Sequence, residues 1–182
     1  TFSDNQTIEA TTFKEDVTIS GDVTLNVTGN LTIDDIASVS GDNTGPLDNL
    51  IIKADGIVTI GGFIGGKGLN NITIEAEEIK LLEDGTVSSR HIDGRNVLKS
   101  VSNRDSGDIS LTAATIDLAQ GASLLSHVGE GSKLQAGDIT LKAKANEKKE
   151  RDENDGDGNG GDNSIGADLK ELFSKSDLST GI

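Results

Sequence analysis

One short pattern recurs along this chain and restricts its fold more than any other feature. An Asn or Asp opens it, an apolar–polar–apolar triplet follows, and Ala closes it. The copies are Asn49-Leu-Ile-Ile-Lys-Ala54, Asn71-Ile-Thr-Ile-Glu-Ala76, Asp108-Ile-Ser-Leu-Thr-Ala113 and Asp138-Ile-Thr-Leu-Lys-Ala143. A second stretch follows: Gly56-Ile-Val-Thr-Ile60 after the first copy, Ile79-Lys-Leu81 and Ile116-Asp-Leu118 after the next two. A corner glycine, Gly85 or Gly121, then leads into a third, Thr-Val-Ser-Ser89 or Ala-Ser-Leu-Leu125. Alternation with a period of two marks strands with one buried face. Internal repetition marks a fold built by stacking similar units.

The repeats start at 49, 71, 108 and 138, so the intervals are 22, 37 and 30 residues. The shortest fits one bare coil of three short strands, and the longer ones fit the same coil with an insertion. The N-terminal triplets Val17-Thr-Ile19, Val23-Thr-Leu25 and Leu31-Thr-Ile33 share this texture. The expected fold is therefore all-β: a right-handed parallel β-helix, a solenoid of three-strand coils, with a short C-terminal helix. Aliphatic rows stacked about 4.8 Å apart would fill its interior. The near absence of rings agrees, since the chain has 4 Phe and no Trp, Tyr, Met or Cys. An antiparallel sandwich also has short strands and glycine turns, but it needs no repeat and commonly carries aromatic anchors. The expected organisation is a β-helix over 1–145, an acidic Gly/Asp-rich linker over 146–164, and an amphipathic helix over 165–182 that caps the last coil.

The segments Asp108–Leu125 and Asp138–Ala143 follow Gly-Asp-Ile-[Ser/Thr]-Leu-x-Ala, and the first continues as x-Ile-x-Leu-x-x-Gly-Ala. This resembles the repeats of filamentous-haemagglutinin-like large exoproteins, bacterial and cyanobacterial adhesins exported by two-partner secretion. The resemblance covers about residues 49–143. It implies a right-handed β-helix, an extracellular location, and adhesive or structural work. It brings no catalytic residues with it.

Net charge is −15. Nucleic acids and anionic membrane surfaces attract Lys and Arg, so both are excluded as expected partners. The absence of Cys removes disulfides and thiol chemistry. No apolar run approaches the ~20 residues that span a membrane. The missing initiator Met suggests a processed or excised piece of a longer protein. Four Asn-x-Thr triplets begin at Asn5, Asn26, Asn30 and Asn71. They read as strand-opening Asn rather than as glycosylation sites.

Two insertions, about 90–107 and 128–137, follow the third strand of their coils. Insertions at one corner of a stacked fold project from one edge, often the binding face. The first carries Arg90, His91, Asp93, Arg95, Lys99, Arg104 and Asp105, a basic-leaning segment in an acidic chain. All of these but Asp105, with His127, are the binding-loop candidates, and a solvated loop with internal ion pairs is the plain alternative. His91 and His127 each lie six residues after a corner glycine. A two-His metal or pH-sensing site would need them to stack.

The stretch 146–164 contains no aliphatic residue and reads as a flexible linker. Within it Asp155-x-Asp157-x-Asn159-Gly160 matches the first half of a calcium loop. The second half fails, with Asp162 where an aliphatic residue belongs and Gly166 where a bidentate Glu belongs. No cofactor is expected, apart from weak calcium binding there.

The expected function is a secreted structural or adhesive module of a larger bacterial surface protein, non-enzymatic, binding a glycan or a host or partner protein through the corner loops. The alternatives are a polysaccharide lyase or hydrolase, and a self-associating filament subunit joined end to end. An enzyme of that kind needs a recurring Asp/Arg/Lys cluster and aromatic sugar platforms, and the sequence offers neither. Ice binding needs a regular outward Thr row. Thr18, Thr24 and Thr32 hint at one that later repeats do not continue.

Overall fold

The computed structural model describes residues 1–42, 48–66, 68–89, 105–126 and 135–144. All belong to one body, Thr1–Asn146. The described residues form β1 (Gln6–Phe13), β2 (Val17–Ile19), β3 (Val23–Ile33), β4 (Ser38–Gly41), β5 (Asp48–Ala54), β6 (Ile57–Ile60) and β7 (Phe63–Gly65). There follow β8 (Leu69–Glu75), β9 (Glu78–Leu81), β10 (Thr86–Ser88), β11 (Ile109–Ala113), β12 (Thr115–Leu118), β13 (Ser123–Leu125) and β14 (Ile139–Ala143). Every strand pairing is parallel.

The strands gather into two sheets. The larger has nine strands in the order β12-β9-β6-β3-β5-β8-β11-β14, with β1 also on β3. The smaller has five, in the order β13-β10-β7-β4-β2. The larger sheet is one piece because β3 has two partners. Its first half, Val23–Val27, pairs with β5. Its second half, Leu31–Ile33, pairs with β6. Between the halves the register against β1 shifts by one residue, between Glu9 and Thr11. Gly29 lies in this bend at φ +102°, a left-handed conformation that suits glycine. From that bend the sheet folds back on itself, so β9 faces β11 and β12 faces β14 in a nearly closed, barrel-like arrangement.

This corrects the expected architecture. A solenoid of three-strand coils presents three separate sheets, whereas here the strands form two. The physical reason is the continuity of β1 and β3 through the position where later repeats break into two strands. No helix occurs among the described residues. The helix expected over 165–182 and the linker over 146–164 lie outside them. The short strands read from the repeats are present, each at or within a residue or two of its expected position.

The interior is a set of aliphatic rows crossing from strand to strand. Val23, Leu50, Ile72 and Ile109 are in register, as are Leu25, Ile52, Ile74 and Leu111. Leu31, Val58 and Ile79 form a third row, Ile33, Ile60 and Leu81 a fourth. Val39, Ile64 and Val87 line the smaller sheet. All of these side chains are buried. In the larger sheet each is flanked along its strand by less buried residues, which is the alternation that the sequence displays.

The two ends of the rows differ. At the N-terminal end Phe2, Ile8, Phe13 and Val17 pack over the core. The Phe2 and Phe13 rings lie 6.1 Å apart at 43°. Phe2 is tied down by donating its N–H to Thr18 O at 2.8 Å and accepting that of Ser20 at 2.9 Å. At the C-terminal end Leu118, Leu125, Ile139 and Leu141 are 40–48% exposed although they continue buried rows.

Candidate functional site

The Asn or Asp that opens each repeat has a definite task. Asp22 Oδ1 accepts the backbone N–H of Asn49 at 2.9 Å and its Nδ2 at 2.8 Å. Asn49 Oδ1 accepts Asn71 N–H at 3.2 Å, and Asn71 Oδ1 accepts Asp108 N–H at 2.8 Å. Asp108 Oδ1 accepts Asp138 N–H at 2.8 Å. Asn5 starts the series by accepting Thr24 N–H at 2.7 Å. Each side chain thus accepts a backbone N–H near the beginning of the neighbouring strand, giving that donor a partner. Gly107 and Gly137, just before Asp108 and Asp138, sit where the backbones close up. A Cβ on Gly107 would collide with the carbonyl of Asn70, and one on Gly137 with that of Gly107. In Gly107-Asp108-Ile109 the motif is therefore structural: close approach, N–H acceptor, core residue.

The Asn-x-Thr triplets fit this account in part. Asn5 and Asn71 belong to the series; Asn5 immediately precedes β1, whereas Asn71 is the third residue of β8. Asn30 lies within β3, and its Oδ1 accepts Ile57 N–H at 2.8 Å. Asn26 also lies within β3 and opens no strand. The outward Thr residues do not form one row. Thr18 pairs with Ser40 in the smaller sheet, Thr24 with Ile51, and Thr32 with Thr59.

Beside the Asx series runs a groove of about 430 Å³, lined by Asn5, Asp22, Thr24, Asn49, Asn71 and Thr73 among others. Asp48, next to Asn49, is buried, and among the described residues its Oδ2 has no hydrogen-bond partner. Burial pushes the Asp48 carboxyl above the ordinary carboxylate range, and the nearby Asp42 and Asp22 carboxylates add to this. Backbone N–H groups of Gly21 and Asp42 oppose it. Among the described residues no three His, Asp or Glu side chains are grouped to hold a metal ion.

The ends of the two insertions come together at a second place. On the departing side Ser89 N–H donates to Leu125 O at 3.0 Å. On the returning side Ser106 N–H donates to Gln135 O at 3.0 Å, and Gln135 N–H donates to Asp105 Oδ1 at 2.8 Å. Ser126 Oγ joins the two sides, donating within reach of Gly107 O at 3.1 Å and Gly137 O at 2.9 Å. Both insertions thus leave and return through one small, hydrogen-bonded base. The sequence-derived candidates Arg90, His91, Asp93, Arg95, Lys99, Arg104 and His127, and the calcium candidates Asp155, Asp157 and Asn159, lie outside the described residues. Sequence reasoning named Asp105 among the charged residues of the first insertion and did not single out Ser89, Ser126 and Gln135. Their one signal was position at the boundaries of the insertions.

Comparison with family models, with curated proteins and with solved structures returns no match for this chain.

Proposed function

We propose that this chain is a binding module with structural and adhesive work, part of a larger extracellular bacterial surface protein of the filamentous-haemagglutinin-like kind. In this reading the loops over 90–104 and 127–134 contact a glycan or a partner protein, and the stacked sheets hold them. The observation that carries the proposal is the shared base of the insertions, where Ser126 and Gln135 of one bond to Gly107, Ser106 and Asp105 of the other. Two insertions anchored on one hydrogen-bonded base is a common way for a scaffold to present a recognition surface. The repeat supports an adhesive role, because strands of one pattern paired in parallel give a regular scaffold on which insertions can be displayed.

The test is a glycan array, run with and without calcium, on the whole chain and on a variant with 90–104 replaced by a short Gly-Ser linker. The expected result is binding by the chain, lost in the variant at an unchanged melting temperature. Binding retained by the variant would move the recognition surface away from the insertions.

A further inference from the structure

We propose that the two insertions act as one recognition surface and not as two, and that Ser126 is the positioning residue that couples them. The inference rests on the binding role given to the insertions above, but the coupling itself is measured without a ligand.

Three observations carry it. First, the returning ends of the insertions meet at close backbone approach. Gly107 and Gly137 are the last residues before Asp108 and Asp138, and a Cβ on Gly137 would overlap the Gly107 carbonyl. No side chain stands between the two ends, so a shift of one is felt by the other.

Secondly, Ser126 serves both ends with one hydroxyl. It follows β13 directly, where the second insertion departs. Its Oγ lies 3.1 Å from Gly107 O and 2.9 Å from Gly137 O. A serine hydroxyl has one proton to donate. The two carbonyls therefore share that proton or exchange it, and the hold on one end depends on where the other stands. The departing end of the second insertion and the returning ends of both thus meet on a single group.

Thirdly, the same two returning ends are cross-linked a second time. Ser106 N–H donates to Gln135 O at 3.0 Å, and Gln135 N–H donates to Asp105 Oδ1 at 2.8 Å. Each of these bonds joins one insertion to the other. The first insertion has no counterpart of Ser126. Ser89 follows β10 as Ser126 follows β13, yet among the described residues its buried Oγ has no hydrogen-bond partner. The coupling falls to Ser126. Groups that share one network do not contribute independently, and that separates a coupled base from two separate anchors.

The test is amide hydrogen exchange on the whole chain, read by NMR as the protection of the Ser106 amide. Ser126→Ala should lower that protection about fivefold, the factor for one hydrogen bond of ordinary strength, although the change is made in the other insertion. Leu111, within β11, should keep its native protection, which shows that the sheet stays folded. Asp105→Ala should lower protection at Ser106 by a similar factor. Coupling makes the two losses overlap, so the double variant should fall well short of the product of the two factors. Ser126→Thr keeps the hydroxyl and should restore protection to near the native level. Unchanged protection in Ser126→Ala, a double variant at the full product, or a Thr variant as exposed as the Ala variant would each overturn the proposal. The glycan array decides the binding role separately: a blank array beside non-additive exchange would refute that role and leave the coupling standing.

Discussion

Asp108 Oδ1 accepts the backbone N–H of Asp138 at 2.8 Å across 30 residues of sequence. The bond needs an oxygen and not a charge. Asp108→Asn should keep it, and Asp108→Ala should lose about 1 kcal/mol, which for a chain of this size lowers Tm by about 2–4 °C. Thermal unfolding of the two variants distinguishes acceptor from charge. Equal losses would mean that the carboxylate acts by some other route.

The glycine beside it makes a sharper case. A methyl group on Gly107 would enter the backbone carbonyl of Asn70, which belongs to a neighbouring strand and cannot rotate aside. Gly107→Ala should cost about 1–3 kcal/mol, the range for overpacking. Gly66→Ala meets only the Phe63 ring, at 3.4 Å. Its cost should come from its φ of +65° and stay near 1 kcal/mol. Chemical denaturation of both variants would rank them, and the reverse order would contradict the packing at Gly107.

Stability should be graded along an aliphatic row. Ile74 is wholly buried, whereas Leu141 is nearly half exposed. Ile74→Ala should cost about 2–5 kcal/mol, and Leu141→Ala under about 1 kcal/mol, since most of its transfer free energy is never gained. Urea midpoints of the two variants test this. Equal midpoints would show that the end of the row is covered in solution.

Asp48 should give the fold a pH dependence. Its folded carboxyl titrates above the ordinary value because burial opposes its charge. Between the unfolded and folded values the native state holds more proton than the unfolded state does. Stability therefore falls as pH rises through that window and is greatest below it. Asp48→Asn should flatten this slope and raise Tm above the window, by an amount corresponding to about 1 kcal/mol. A melting series from pH 3 to 7 would show it, and parallel curves for the two proteins would remove the role given to Asp48.

Local pattern carried the strands into view and tertiary pairing decided how they joined. Period-two triplets such as Ile72–Ile74 and Ile109–Leu111 are legible because burial of alternate residues is a property of the strand itself. The Asx openings were legible as positions and not as acceptors, since their partner N–H groups lie 22–37 residues away. The two-sheet arrangement was not legible. It depends on β3 running through Thr28-Gly29-Asn30 against β1, and β1, with Gln, Glu and three Thr in eight residues, shows little alternation. The binding-loop candidates were chosen by charge and fall outside the described residues. The residues that tie the insertion ends together, Ser126 and Gln135 among them, are single polar side chains without a periodic signature. The burial of Asp48 has no local signal, and the backbone N–H groups that bond its carboxylate belong to Gly21 and Asp42, outside its own strand.

The Asx series spans 27, 22, 37 and 30 residues with nearly the same bond each time. Register in this sheet is therefore indifferent to how much chain lies between one strand and the next. A segment gained or lost between Ser89 and Asp105 leaves the Asn71–Asp108 bond and the rows beneath it in place. The scaffold and what it displays can thus vary separately, and foreign loops grafted between those two residues should be carried without any change to the sheets that hold them.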